Sequence, residues 1–139
     1  MLKRLNEYFD RRKEYAAIFF RLILGWRLIY GTADNVFSNE RMLEFRDFLE
    51  AHNVLLPLFA AYLSVYVQFI AGILLVIGAL VRPAAILLII NFVAAILIVH
   101  IGDTFLNTFD ALVLLFGGLF FLFHGAGKLS VDEYLERKR

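Results

Sequence analysis

Four long apolar stretches constrain this chain more than any other feature of its sequence. They cover residues 15–31, 55–80, 84–101 and 105–123. Each is close to the length of about 20 mostly apolar residues that lets a helix cross a bilayer. Hydrophobic residues make up 61% of the 139 residues, more than a soluble protein of this length could bury. The sequence therefore predicts one all-α domain, residues 1–139, that forms an integral four-helix bundle in a lipid bilayer.

The positively charged residues predict the orientation of this bundle. Residues 1–14 hold five Lys or Arg, Arg82 lies between the second and third spans, and residues 125–139 hold four more. Residues 32–54 hold only two, and the loop between the third and fourth spans holds none. Short cytoplasmic flanks of membrane spans are enriched in Lys and Arg. We therefore expect both termini in the cytoplasm.

A further helix is predicted in the first outer loop, between the first and second spans. Residues 39–52 place Met42, Phe45, Phe48 and Leu49 on one stripe, and acidic residues face the other way. This pattern is typical of a short amphipathic helix on the membrane surface. The sequence leaves open whether the helix is a simple connector or a lid over an outer cavity.

Polar side chains inside the spans are the candidates for function. A charged group in hydrocarbon costs at least ~2.5 kcal/mol and needs a partner or water. A rise of about 1.5 Å per residue sorts these side chains into two layers. The inner layer consists of Arg21, Gln68 and Asn91. The outer layer consists of Arg27 and Asp110, a predicted ion pair between the first and fourth spans, with His100 and Asp103 near the rim.

Two interpretations of these layers remain open at this point. The polar groups either form a functional pocket or act only as interhelical contacts, which are worth about 0.6 kcal/mol each. We interpret Asn91 as such a packing contact and His100 as a rim histidine near water. Arg21 and Arg27 point in different directions around their helix, so they need not share a site.

Metal, haem and nucleotide chemistry are not indicated by the sequence. His100 ends the third span on the outer side and His124 ends the fourth on the inner side, so the two cannot hold one haem within the chain. A metal between His52 and His100 is not favoured either. The chain has no cysteine, no nucleotide-binding loop and no nucleophile elbow. We expect no catalysis by this chain alone and no nucleic-acid partner.

Three motifs follow one another along the chain at defined spacings. They are Arg21-x3-Gly25-x5-Gly31 in the first span, Gln68-x3-Gly72-x5-Gly78-x3-Arg82-Pro83 in and after the second, and Gly125-x-Gly127-x2-Ser130-x-Asp132 after the fourth. This order resembles the DoxX family of small bacterial and archaeal membrane proteins, over about residues 21–132. The resemblance implies four membrane helices in the cytoplasmic (inner) membrane of a bacterium.

Two positions depart from the family pattern. Gln68 stands where the second helix of the family usually has a glutamate, and Asp34 stands where a lysine often follows the first helix. A glutamine donates and accepts hydrogen bonds but carries no charge. A mechanism that needs a titrating carboxylate at this position is therefore not expected here.

The resemblance implies a role beside redox enzymes, because relatives include a subunit of a thiosulfate:quinone oxidoreductase and a membrane partner of detoxifying redox complexes. The first hypothesis is a non-catalytic or accessory subunit of a membrane redox complex that holds a quinone or another lipid-like ligand between helices. Other subunits or a second copy would be its partners. The hypothetical pocket consists of Arg21, Trp26, Arg27, Tyr66, Gln68, His100 and Asp110, with Tyr62 as a further aromatic contact.

The alternative hypothesis is a structural or assembly protein whose polar groups only fix helix packing and oligomerisation. The motif after the fourth span also has a structural interpretation. Its glycines end the helix and turn the chain, and Ser130 to Glu133 fits a helix-capping box. A docking site for a soluble partner is the other interpretation of that segment.

Overall fold

The computed structural model describes all 139 residues and contains helices but no strand. The helices are α1 (Leu2–Asp10), α2 (Ala16–Phe37), α3 (Asn39–Ala51), α4 (Pro57–Ile77), α5 (Val81–Val99), α6 (Phe105–His124) and α7 (Val131–Glu136), with a 3₁₀ turn at Lys13–Tyr15. Four of them, α2, α4, α5 and α6, are long and apolar enough to cross a membrane. The predicted all-α, four-helix membrane fold is confirmed.

The ends of the long helices follow from local backbone chemistry. Helix α2 continues to Phe37, beyond the predicted end at residue 31, and the buried Thr32 hydroxyl donates to the Leu28 carbonyl at 2.7 Å. Helix α4 starts at Pro57, because Leu56 has a left-handed backbone with φ of 55° and proline fits the first turn of a helix. Helix α4 ends where Gly78 takes a φ of 73°, a conformation that glycine adopts without strain.

The bundle packs mainly as two helix pairs, α2 with α4 and α5 with α6, joined through α4 and α5. Gly25 of α2 and Gly72 of α4 face each other. A Cβ atom on Gly25 would lie 2.8 Å from the Gly72 carbonyl oxygen, and one on Gly72 would lie 2.9 Å from the Gly25 oxygen. Small residues let membrane helices approach this closely, which explains two glycines of the sequence motifs.

Two clusters of buried apolar side chains hold the helices together, and many other apolar side chains face outwards. The larger cluster contains 14 buried residues of the bundle, and the smaller joins Met42 and Leu49 of α3 to Ala61 and Val65 of α4. Only 27 of the 139 residues are buried, and many large apolar side chains are exposed. Such an apolar exterior suits lipid as the solvent.

Helices α3 and α7 lie at opposite ends of the bundle. We call the end with α3 and the loop between α5 and α6 the α3 end. The end with both termini and α7 is the terminal end. The Ser38 hydroxyl caps α3 by accepting from the Arg41 amide, and the Ser130 hydroxyl caps α7 by accepting from the Glu133 amide.

Candidate functional site

An apolar cavity lies between α4 and α5 and beneath α3. Its volume is about 450 Å³, which falls within the range of about 300–1,000 Å³ typical of ligand pockets. Of the 17 residues that line it, 13 are hydrophobic. The wall residues include Leu63 of α4 and Ile90 and Ile98 of α5, which are 54%, 61% and 45% exposed, so the cavity is open to the exterior of the bundle.

Helix α3 forms the roof of this cavity. Its side chains Phe45, Phe48 and Leu49 line the cavity, and the two phenylalanine rings stack with centroids 6.2 Å apart. Met42 and Leu49 are buried against α4, which fixes the helix on the bundle. The surface helix therefore covers a cavity, as one of the two interpretations of its sequence predicted.

Four polar side chains line the cavity: Ser64 and Gln68 of α4, Asn91 of α5, and His100 directly after α5. The Gln68 amide donates to the Ser64 hydroxyl at 3.1 Å. At the α3 end, Nδ1 of His100 lies 2.9 Å from a carboxylate oxygen of Asp103. Ser64, Gln68 and Asn91 form the deeper polar group, and His100 lies at the mouth.

Asn91 differs from the packing contact that its sequence position suggested. Its side-chain amide makes no hydrogen bond within the chain, and its Nδ2 atom is buried without a partner. A rise of about 1.5 Å per residue places Asn91 about 12 Å from the end of α5 at Val99. The expected interhelical hydrogen bond is absent, and Asn91 instead lines the cavity with its Nδ2 atom buried.

The predicted ion pair between the first and fourth spans forms in the structure. Nε and Nη2 of Arg27 donate to the two carboxylate oxygens of Asp110, at 3.1 and 2.5 Å. Such a bidentate contact fixes geometry as well as charge. The two side chains remain 45% and 54% exposed, so the chain itself does not cover the pair.

The structure does not bring the predicted pocket residues together. Gln68 and His100 line the cavity, whereas Arg27 and Asp110 lie between α2 and α6. Trp26 and Tyr66 are exposed on the surfaces of their helices, as is Tyr62, and Arg21 lies at the terminal end. The reason is that depth along a helix predicts a layer but not the direction around the helix axis.

Arg21 contacts neither Gln68 nor Asn91, although the sequence placed the three side chains in one predicted layer. Arg21 is 2% exposed, and its guanidinium donates to two backbone carbonyls after α6, that of Ala126 at 2.7 Å and that of Leu129 at 2.9 Å. Gly78 leaves room for this arginine, since a Cβ there would lie 2.8 Å from Nη1. The positive charge of Arg21 is thus stabilised by the dipoles of these two carbonyl groups.

Asp132 makes the second contact between the segment after α6 and the bundle. Its carboxylate accepts from the backbone amides of Leu80 at 2.8 Å and Val81 at 3.0 Å, which caps the start of α5. Its own amide donates to the Gly78 carbonyl at 3.0 Å. We call these contacts, together with those of Arg21, the terminal clasp. The clasp joins the ends of α2, α4 and α5.

A charged cluster stabilises the same segment from outside. Nζ of Lys128 lies 2.9 Å from Glu133 and 3.3 Å from Glu14. The hydrogen bonds that the Lys128 ammonium donates to Glu133 and then to Glu14 raise the pKa of Lys128, and the bond that Glu133 accepts from Lys128 lowers the pKa of Glu133. The Glu133 amide donates to the Ser130 hydroxyl as the predicted capping box requires, but the Glu133 carboxylate accepts from the Leu129 amide rather than from the Ser130 amide. The structural interpretation of this motif therefore accounts for its contacts.

No group of three His, Cys, Asp or Glu residues is close enough to hold a metal ion.

The residues of the cavity walls could not be predicted from the sequence, because α4 and α5 are apolar around most of their circumference. The signals that do point to the cavity are the two amides on neighbouring helices, at Gln68 and Asn91, and the apolar stripe of α3.

Four membrane-length helices, two of which border an apolar cavity, define a multi-pass α-helical membrane protein. The DoxX family model matches residues 16–101, which is more than half of the chain. The protein belongs to the DoxX family. The matched residues contain α2 to α5 and therefore the whole cavity. No curated protein and no solved structure matches the chain.

Proposed function

We propose that this protein is an accessory subunit of a membrane redox complex and binds a quinone or another lipid-like ligand between α4 and α5. The cavity of about 450 Å³ is the observation that carries the ligand-binding part of this proposal. The redox partner is proposed from the family resemblance described above. We also propose the bacterial cytoplasmic membrane as its location, with both termini in the cytoplasm, which places the cavity towards the outer leaflet.

The composition of the cavity supports a ligand that dissolves in lipid. Lipid tails are as apolar as leucine, so moving an apolar ligand from the bilayer to the cavity gains little hydrophobic free energy. Selectivity must then come from the shape of the cavity and from its few polar groups. Gln68, Asn91 and His100 supply such groups.

Filling the cavity tests ligand binding directly. Ala94 lines the cavity, and Ala94→Phe places a ring inside it. Leu97→Phe is the matched control, because Leu97 is 60% exposed on the same helix and does not line the cavity. The full-length protein is extracted in a mild detergent, and its retained quinones and neutral lipids are quantified by mass spectrometry.

We expect the wild type and Leu97→Phe to retain the same compound, and Ala94→Phe to lose most of it. Equal retention by the two variants would contradict binding in this cavity. The redox part is tested separately, by affinity purification of the tagged native protein. Co-purification with an oxidoreductase of quinone-reducing activity supports that part, and isolation without any redox enzyme contradicts it.

A structural or assembly protein is the second candidate, and the Arg27–Asp110 pair favours it. A half-exposed ion pair in a membrane span needs a partner or water. A two-fold axis along the membrane normal would keep depth unchanged, so Arg27 of one copy could meet Asp110 of another. Asp110→Asn would then dissociate an oligomer while leaving ligand retention intact. An unchanged oligomeric mass, measured by light scattering, contradicts this candidate.

A further inference from the structure

We infer that the cavity selects an uncharged ligand head that carries a carbonyl, and that the Gln68 and Asn91 amides bind this head deep within the membrane. The inference rests on the proposed function, because it assigns the chemistry of the same cavity. It adds the class of ligand head, the depth at which the head lies and the residues that recognise it.

Asn91 provides the first argument. Its amide has two N–H donors and one acceptor oxygen, and the Nδ2 atom is buried without a hydrogen-bond partner in the chain. A buried polar group without a partner costs free energy, and most such groups in proteins are satisfied. A half turn of the amide exchanges its nitrogen and oxygen, so the same side chain can present a donor to the cavity. A carbonyl oxygen there would accept the missing bond.

Gln68 provides a second recognition group on the facing helix. One N–H of its amide donates to Ser64, which leaves the other N–H and the carbonyl oxygen available. Gln68 and Asn91 both line the cavity, one from α4 and one from α5. A head with more than one polar atom can therefore be bound from both walls.

The charges around the cavity explain why the head is uncharged. None of the 17 lining residues is Asp, Glu, Lys or Arg, and the one titratable side chain, His100, is paired with Asp103 at the mouth. Arg21 and Arg27, which could neutralise an anion, are engaged elsewhere. A carboxylate or phosphate in this cavity would lose its hydration without gaining a counter-charge.

The depth of the amides separates ligand classes further. With a rise of about 1.5 Å per residue, Asn91 lies about 12 Å and Gln68 about 16 Å from the α3 ends of their helices. The hydrocarbon core is about 30 Å thick, so these groups lie in its interior. A phospholipid head stays at the membrane surface. Quinones and neutral glycerolipids can place a carbonyl at this depth.

The test compares probes that share a tail and differ in the head. The full-length protein in lipid nanodiscs is titrated with a decyl-tailed benzoquinone, decylbenzene and decanoate, and binding is followed by native mass spectrometry. The variants are Asn91→Leu and Gln68→Leu. Asn107→Leu is the control, because Asn107 is exposed at the start of α6 and outside the cavity. Decylbenzene binding reports whether the cavity of each variant is intact.

Each cavity variant should bind the quinone roughly 3- to 10-fold more weakly, as expected for one lost hydrogen bond, and bind decylbenzene as the wild type does. Asn107→Leu should bind both as the wild type does, and decanoate should bind weakly throughout. Displacement of bound decylbenzene by a diacylglycerol, but not by the quinone, would support a carbonyl-bearing head and identify a lipid as its source.

The outcomes separate this inference from the proposed function. Unchanged quinone affinity in both leucine variants, combined with its loss in Ala94→Phe, overturns head recognition and leaves the binding function standing. Decanoate binding as tightly as quinone also overturns the inference. Failure of every probe to bind the wild type refutes the inference and the proposed ligand-binding function together.

Discussion

The contact of Asp132 with the start of α5 makes a quantitative prediction. The carboxylate accepts from the Leu80 and Val81 amides and lies at the positive end of the helix dipole. Loss of a side-chain cap costs about 1 kcal/mol, and loss of the charge costs about 0.5 kcal/mol more. Asp132→Ala should therefore lower the free energy of unfolding by about 1.5 kcal/mol, or roughly tenfold in the unfolding constant.

Reversible unfolding in mixed detergent micelles, followed by far-ultraviolet circular dichroism, measures this change. Asp132→Asn keeps one oxygen acceptor and loses the charge, so we expect about two-thirds of the effect, or about 1 kcal/mol. Glu136→Ala is the control, because its side chain makes no hydrogen bond and should change stability by less than about 0.5 kcal/mol. An Asp132→Ala protein as stable as the wild type refutes the capping role of this carboxylate.

Three further predictions concern the packing, the charged cluster and the roof. Gly25→Val should destabilise the bundle by about 1–3 kcal/mol in the same unfolding assay, because its Cβ meets the Gly72 backbone. Because its pKa is lowered, Glu133 adds stability above its ordinary pKa, and this stability is lost as the pH falls through the lowered value. Because its pKa is raised, Lys128 adds stability below its ordinary pKa, and this stability is lost as the pH rises through the raised value. The protection of the α7 amides, which is their exchange rate corrected for the intrinsic pH dependence of exchange, should thus be greatest between these limits. Phe45→Ala removes part of the roof and should speed ligand dissociation several-fold in a chase experiment.

Each of these predictions has its own contradicting result. Ile23→Val, on the exposed face of α2, should leave stability unchanged, and an equal loss in both α2 variants would argue against close helix contact. Protection of the α7 amides that does not change with pH in the wild type, or changes equally in Glu133→Gln, would show that the charged cluster does not stabilise α7. Dissociation rates that are identical in Phe45→Ala and the wild type would show that α3 does not cover the ligand.

The sequence predicted the number of membrane-length helices and one interhelical ion pair well, for a physical reason. Four apolar stretches of membrane length leave few other folds, and Arg27 and Asp110 are opposite charges at the same depth. A charge pair of this kind has few alternative partners inside a membrane. The surface helix could also be predicted, because its apolar stripe repeats with the helical period.

The partners of Arg21 and the cavity could not be predicted in the same way. The acceptors of Arg21 are backbone carbonyls, which every residue has, so no side chain marks them. Helices α4 and α5 are apolar on most faces, so their sequences do not indicate which face borders an empty volume. Asn91 resembled a packing residue for the same reason, since only the structure shows that it lacks a partner.

The terminal clasp has a consequence for the biosynthesis of this membrane protein. Arg21 and its acceptor Ala126 are separated by 105 residues. At a synthesis rate of about 5–20 residues per second, roughly 5–20 s pass between the synthesis of Arg21 and the synthesis of Ala126. During this interval α2 contains an arginine without its final partners. The first span to be made is thus among the last to be stabilised, and its insertion depends on elements that follow it.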